Sequence, residues 1–91
     1  MAEFLLELYV SKTDTSVVER GREAARRAAY DLTRQGTPVR FLLSIFVPGD
    51  ETCFFLYEAE SVDVVREAAR RAALPHGRVA EAVSEPALAI D

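Results

Sequence analysis

The chain has 91 residues, 49% of them hydrophobic and 29% charged, which makes one small domain with a single core and excludes a disordered polymer or a two-domain enzyme. Its net charge is −4, and its eleven cations alternate with Glu19, Glu23, Asp31, Asp63 and Glu67, so no clustered basic surface for nucleic acid or anionic membrane is expected. Cys53 is the single cysteine, which excludes an internal disulfide and any CxxC motif; no apolar run reaches membrane-span length, and the opening MAEFLLELYV carries Glu3 and Glu7, so a cytoplasmic address is expected.

The first strand is expected in EFLLELYV, where Phe4, Leu6, Leu8 and Val10 alternate against Leu5, Glu7 and Tyr9. SKTDT supplies a turn. Ser16 and Glu19 then stand in capping-box spacing, predicting a helix that runs to about Arg34. Its inward stripe is Val18, Gly21, Ala25, Ala29 and Leu32, and Gly36 suits the left-handed position that closes a helix.

TPVRFLLSIFV alternates over Val39, Phe41, Leu43, Ile45 and Val47, PGDE is a turn, and TCFFLYEA is a further strand, so the two form a hairpin. Ser61 caps a second helix with the stripe Val62, Val65, Ala69 and Ala72, ended by Pro75 and Gly77. RVAEAVSE reads as a fourth strand, and residues 86–91 as a tail beyond a single domain over 1–85. The octapeptide REAARRAA occurs at Arg22–Ala29 and again at Arg66–Ala73, at equivalent places in the two helices.

The order βαββαβ predicts a ferredoxin-like α+β sandwich, a four-stranded antiparallel sheet with two helices on one face. A four-residue turn from Pro48 to Glu51 pairs Val47 with Thr52, Ile45 with Phe54 and Leu43 with Leu56. Taking that side as core puts Leu5, Glu7, Tyr9, Arg40, Leu42, Ser44, Phe46, Cys53, Phe55 and Tyr57 on the open face. Such a face is too apolar for a lone soluble chain and predicts a homodimer of the dimeric α+β barrel type.

Glu7, Tyr9, Arg40, Ser44 and Tyr57 are then the candidate ligand pocket, sealed between two sheets. Interfaces ordinarily contain such residues, so ion pairs and rim tyrosines are the plainer reading of the same set. Cys53 and His76 are the candidate metal ligands, set against a small buried hydrophobe and a surface loop imidazole respectively. No GxGxxG, P-loop, GxSxG or catalytic carboxylate pair is present, so no organic cofactor and no catalytic residue is indicated. Tyr9, Phe55 and Tyr57 would lie where βαββαβ domains stack RNA bases, but ETCFFLYE is bounded by Glu51 and Glu58 and has no basic residue, which argues against RNA.

The stretch GTPVRFLLSIFVPGDETCFFLYEAESVDVVREAARRAALPHGRVAEAV, through SIFVPGDETCFFLYEA and LPHGRV, resembles a family of small bacterial proteins of unknown function labelled nickel-responsive. Pro48, Asp50, Glu51, Cys53, Phe54 and Glu58 carry the resemblance as scaffold positions. It implies a ferredoxin-like fold, a homodimer, and binding of nickel or a similar divalent ion. The leading expectation is a homodimeric binding protein without catalytic activity that holds a divalent metal ion such as nickel, or a small molecule, at or near the dimer interface. The alternative is a cofactor-free monooxygenase- or isomerase-like enzyme of the dimeric α+β barrel type acting on a small aromatic substrate.

Overall fold

A computed structural model describes residues 1–75 and 77–85. Four strands and two helices follow one another as β1 (Ala2–Tyr9), α1 (Ser16–Arg34), β2 (Val39–Val47), β3 (Thr52–Ala59), α2 (Val62–Arg71) and β4 (Arg78–Ala82), with a 3₁₀ turn at Pro48–Asp50. The sheet is antiparallel in the order β2-β3-β1-β4, and both helices lie on one side of it. This is the ferredoxin-like α+β fold that the element order predicts.

Beneath the helices sit Phe4, Leu6 and Leu8 of β1, Cys53, Phe55 and Tyr57 of β3, and Val39 of β2, all buried. They meet Ala25, Ala29 and Leu32 of α1 and Val65, Ala68 and Ala69 of α2. Alanine at those helical positions keeps the inward face flat, so aromatic side chains from the sheet fill the space between layers. Phe41 packs on Phe55 and Tyr57 at ring-centroid separations of 5.1 and 5.6 Å, in tilted and edge-on arrangements that aromatic pairs favour. Each such side chain contributes about 1.5–3 kcal/mol on burial, which makes this layer the main source of stability.

The ends of the elements show which local signals acted. Ser61 caps α2 by accepting from the Val64 amide, as its spacing predicts. The expected capping box of α1 does not form: Thr15 occupies the N-cap with no side-chain cap bond, and Ser16 Oγ instead donates to Asp14 Oδ1 at 2.7 Å. Gly36 closes α1 at φ +100°, and Thr33 Oγ1 ties the helix end to β2 by bonding both the amide and the carbonyl of Val39. β4 stops at Ala82, shorter than the predicted RVAEAVSE, and the proposed tail 86–91 lies outside the described residues.

The two octapeptides do occupy comparable helical surfaces. Glu23 pairs with Arg26 at 2.8 Å, and Glu67 with Arg70 at 2.6 Å, the same letters making the same i,i+3 bridge. The match ends one turn later: Ala29 is buried in mid-helix, whereas Ala73 lies past the end of α2 at φ 57°.

Candidate functional site

The three predicted hairpin pairs, Val47 with Thr52, Ile45 with Phe54 and Leu43 with Leu56, are all present. The face they occupy is the opposite of the one expected. Leu6 pairs with Phe55 and Leu8 with Cys53, so Cys53, Phe55 and Tyr57 share the helix-covered side with the buried residues of β1. Leu43, Ile45, Thr52, Phe54 and Leu56 consequently join Leu5, Glu7 and Tyr9 on the uncovered side. A β-bulge separates these residues from the inward-facing Val39 and Phe41: Phe41 pairs with Tyr57 and Leu43 with Leu56, leaving Leu42 extra and inverting the alternation of β2. Arg40 and Leu43 thereby lie on one face although three positions apart.

The candidate pocket residues are therefore divided. Glu7, Tyr9 and Arg40 stand on the open face, whereas Tyr57 is fully buried under the helices and Ser44, opposite Phe55, belongs to the covered side. A single pocket formed by all five is ruled out by this register. Tyr57 Oη is enclosed without a hydrogen-bond partner, and burial raises its hydroxyl pKa above the ordinary tyrosine range.

The open face has an ordered layout. Its middle rows are Ile45–Phe54–Glu7–Arg78 and Leu43–Leu56–Leu5–Ala80, read across the strands. Ile45 and Leu43 are 52% and 42% exposed, and Leu5, Phe54 and Leu56 are partly exposed beside them. Charged pairs frame this apolar stripe: Arg40 Nη1 reaches Glu58 Oε1 at 3.3 Å, and Arg78 Nε reaches Glu7 Oε1 at 3.6 Å. Tyr9, 70% exposed, donates to Glu51 Oε1 at 3.4 Å at the corner.

A second feature lies on the other side of the sheet and was missed in the sequence. Between the N-terminal half of α1 and the segment after α2 a cleft of about 260 Å³ opens onto the core. Leu8, Val10, Val18, Phe55 and Leu74 wall it, with Cys53, and Arg20 is the charged side chain on its lining. It exists because Gly21 and Ala24 present almost no side chain there. A Cβ on Gly21 would stand 3.2 Å from Phe55 Cζ, so glycine is what lets the helix lie this close to the ring. The sequence signal was the glycine on the inward stripe of a helix.

Cys53, the first candidate metal ligand, lies on the helix-covered side of β3. The side chain is buried among apolar groups, and burial raises its thiol pKa, only partly offset by the charge of Arg22. Among the described residues no group of three or more His, Cys, Asp or Glu is placed to hold a metal ion. The second candidate ligand, His76, lies outside the described residues.

Among solved structures, the crystal structure of SCO4226 from Streptomyces coelicolor A3(2) superposes with a TM-score of 0.75 at 17% identity, covering 93% of this chain and 100% of that one. At that identity the likeness establishes the shared fold. No protein-family model and no curated protein matches the sequence. No helix among the described residues is long and apolar enough to cross a membrane.

Proposed function

We propose that the protein is a homodimeric binding protein whose two copies join through their open sheet faces and which holds a small organic molecule. The observation that carries the dimer is the uncovered stripe of Leu5, Leu43, Ile45, Phe54 and Leu56, bordered by the Arg40–Glu58 and Glu7–Arg78 pairs. An apolar centre with a charged rim is the usual anatomy of a protein interface. At about 4.8 Å between strands and about 3.3 Å per residue, the face offers roughly 500 Å² per copy, and both together reach the lower range of specific interfaces. If about 600 Å² of that is apolar, burial gives on the order of 15 kcal/mol before association costs of about 4–15 kcal/mol, which points to a reversible dimer.

Of the two ligand classes, the small molecule has the better support, because an apolar cleft is formed whereas among the described residues donors for a metal are not assembled. The nickel or similar ion implied by the family resemblance requires donors outside the described residues or from the second copy. An enzyme of the cofactor-free monooxygenase or isomerase type needs an acid, base or nucleophile at its substrate. Cys53 and Arg20 are the chemistry-bearing side chains lining the cleft, and a neutral thiol with a guanidinium supports binding better than proton transfer.

Sedimentation velocity tests the dimer. Association at tens of micromolar is expected for the parent, and monomer for the Ile45→Lys, Phe54→Lys variant with its melting transition retained. A parent that stays monomeric at 100 µM overturns the assembly. Calorimetric titration with Ni²⁺ tests the metal reading: heat that disappears in a Cys53→Ala, His76→Ala variant would restore it and displace the organic ligand as the main one.

A further inference from the structure

We infer that the cleft under the helices takes a small anionic aromatic molecule, a monocyclic carboxylate, with its ring between Val18 and Leu74 and its carboxylate toward Arg20. This rests on the proposed binding role and specifies its ligand, but it does not depend on the dimer, since the cleft lies within one chain and on the opposite side of the sheet from the open face.

Size is the first argument. A cleft of about 260 Å³ is smaller than a typical cofactor site and larger than the roughly 150 Å³ that suffices for benzene in an apolar cavity. It therefore has room for one ring with a short substituent. The chemistry of the walls is the second. Leucine, valine and alanine make most of the lining apolar, so the body of the ligand is hydrocarbon.

Charge is the third. Arg20 lines the cleft and no carboxylate does. The guanidinium is held along the first turns of α1 by donation from Nη1 to Ser16 Oγ at 3.0 Å, which places it without neutralising it. Of the two nearby acids, Glu19 is engaged by Arg22 at 3.3 Å and Asp14 accepts from Ser16 Oγ at 2.7 Å, and neither lines the cleft. The first turn of α1, with the positive end of its dipole, forms the same wall through Val17 and Val18. A negative group emerging from the apolar part thus meets the positive charge of Arg20 on a lining that holds no carboxylate.

The test is a ¹H–¹⁵N titration of the full chain with 4-ethylbenzoate and, separately, with the isosteric neutral 4-ethylbenzamide. Saturable shifts at the amides of Gly21, Ala24, Cys53 and Leu74 are expected, with the carboxylate bound about tenfold more tightly than the amide. Arg20→Gln should abolish that difference, and Ala24→Leu or, independently, Val17→Phe should block both compounds while the variant remains folded by circular dichroism. Equal binding of the two compounds, or no effect of Arg20→Gln, overturns the anionic ligand and leaves a small-molecule role standing. No saturable shift up to 10 mM, or shifts confined to Leu5, Ile45 and Phe54, overturns both the ligand and the cleft as its site.

Discussion

Glu3 stands directly opposite Glu58 across β1 and β3, two like charges on the open face of the sheet. Such a pair costs roughly 0.2–1 kcal/mol, and the structure relieves it on both sides. Arg40 Nη1 reaches Glu58 at 3.3 Å, and Ser84 Oγ donates to Glu3 Oε1 at 2.6 Å. Arg40→Ala should therefore destabilise the domain by about 0.5–1 kcal/mol at low salt, with the loss shrinking at 0.5 M NaCl as the repulsion is screened. Adding Glu58→Gln to Arg40→Ala should recover most of it. Urea denaturation at low protein concentration checks this, and a double variant no better than the single one would show that the two carboxylates do not interact.

Tyr57 supplies the clearest stabilising substitution. Its ring is fully buried beside Phe41, while its hydroxyl has given up water without gaining a partner. A buried unsatisfied polar group costs about 1–3 kcal/mol, and phenylalanine keeps the ring packing. Tyr57→Phe should raise stability by about 1 kcal/mol and Tm by about 4–8 °C for a domain of this size. A fall in Tm would mean that the hydroxyl is bonded in solution, most simply to an internal water.

How much of this was legible in the sequence depended on whether a signal was local. Element order, the Ser61 cap, the Gly36 stop and the hairpin pairs come from neighbouring residues, and all are present. The sheet face was misassigned because both sides of the hairpin are apolar, so alternation fixes the pairing but not which side the helices cover. Two charges could have decided it, yet they disagreed by parity. Glu58 marks the side of Phe54 and Leu56 as open, while Arg40, in strict alternation, marks the side of Leu42, Ser44 and Phe46. The bulge at Leu42 reconciles them, and a single extra residue in a strand leaves no distinct mark in an apolar run. For the cleft the sequence offers only Gly21 on the inward stripe, because its shape depends on how closely α1 sits over Phe55.

The start of β4 is fixed by backbone contact. Arg78 pairs with Glu7, and Gly77 just before it lies so close to β1 that a Cβ there would run into the Glu7 carbonyl oxygen. Backbone cannot give way as a side-chain tip can. Gly77→Ala should cost about 1–3 kcal/mol by displacing β4 from β1. Amide exchange should localise the damage, with protection lost at Val79 and Ala80 and retained on β2 and β3. Uniform loss across the sheet would instead indicate that β4 is integral to the whole cooperative unit.

Cys53 makes stability depend on pH in a direction its surroundings determine. Burial raises the thiol pKa above the ordinary value of 9.0, and the positive charge of Arg22 opposes this only in part. The unfolded chain, with the lower pKa, releases the proton first as pH rises. The contribution is therefore fully present below pH 9 and is lost as pH climbs through the raised folded value, and Tyr57 acts in the same sense at still higher pH. The urea midpoint should be flat from pH 7 to about 8.5 and decline above 9, with a shallower decline in Cys53→Ala. Iodoacetamide should label native Cys53 far more slowly than the urea-unfolded chain at pH 8, and Arg22→Met, which removes the one charge favouring thiolate, should slow it further. Native labelling at the unfolded rate would show that the cleft admits both water and reagent to the sulfur, and the thiol would then be available to a metal after all.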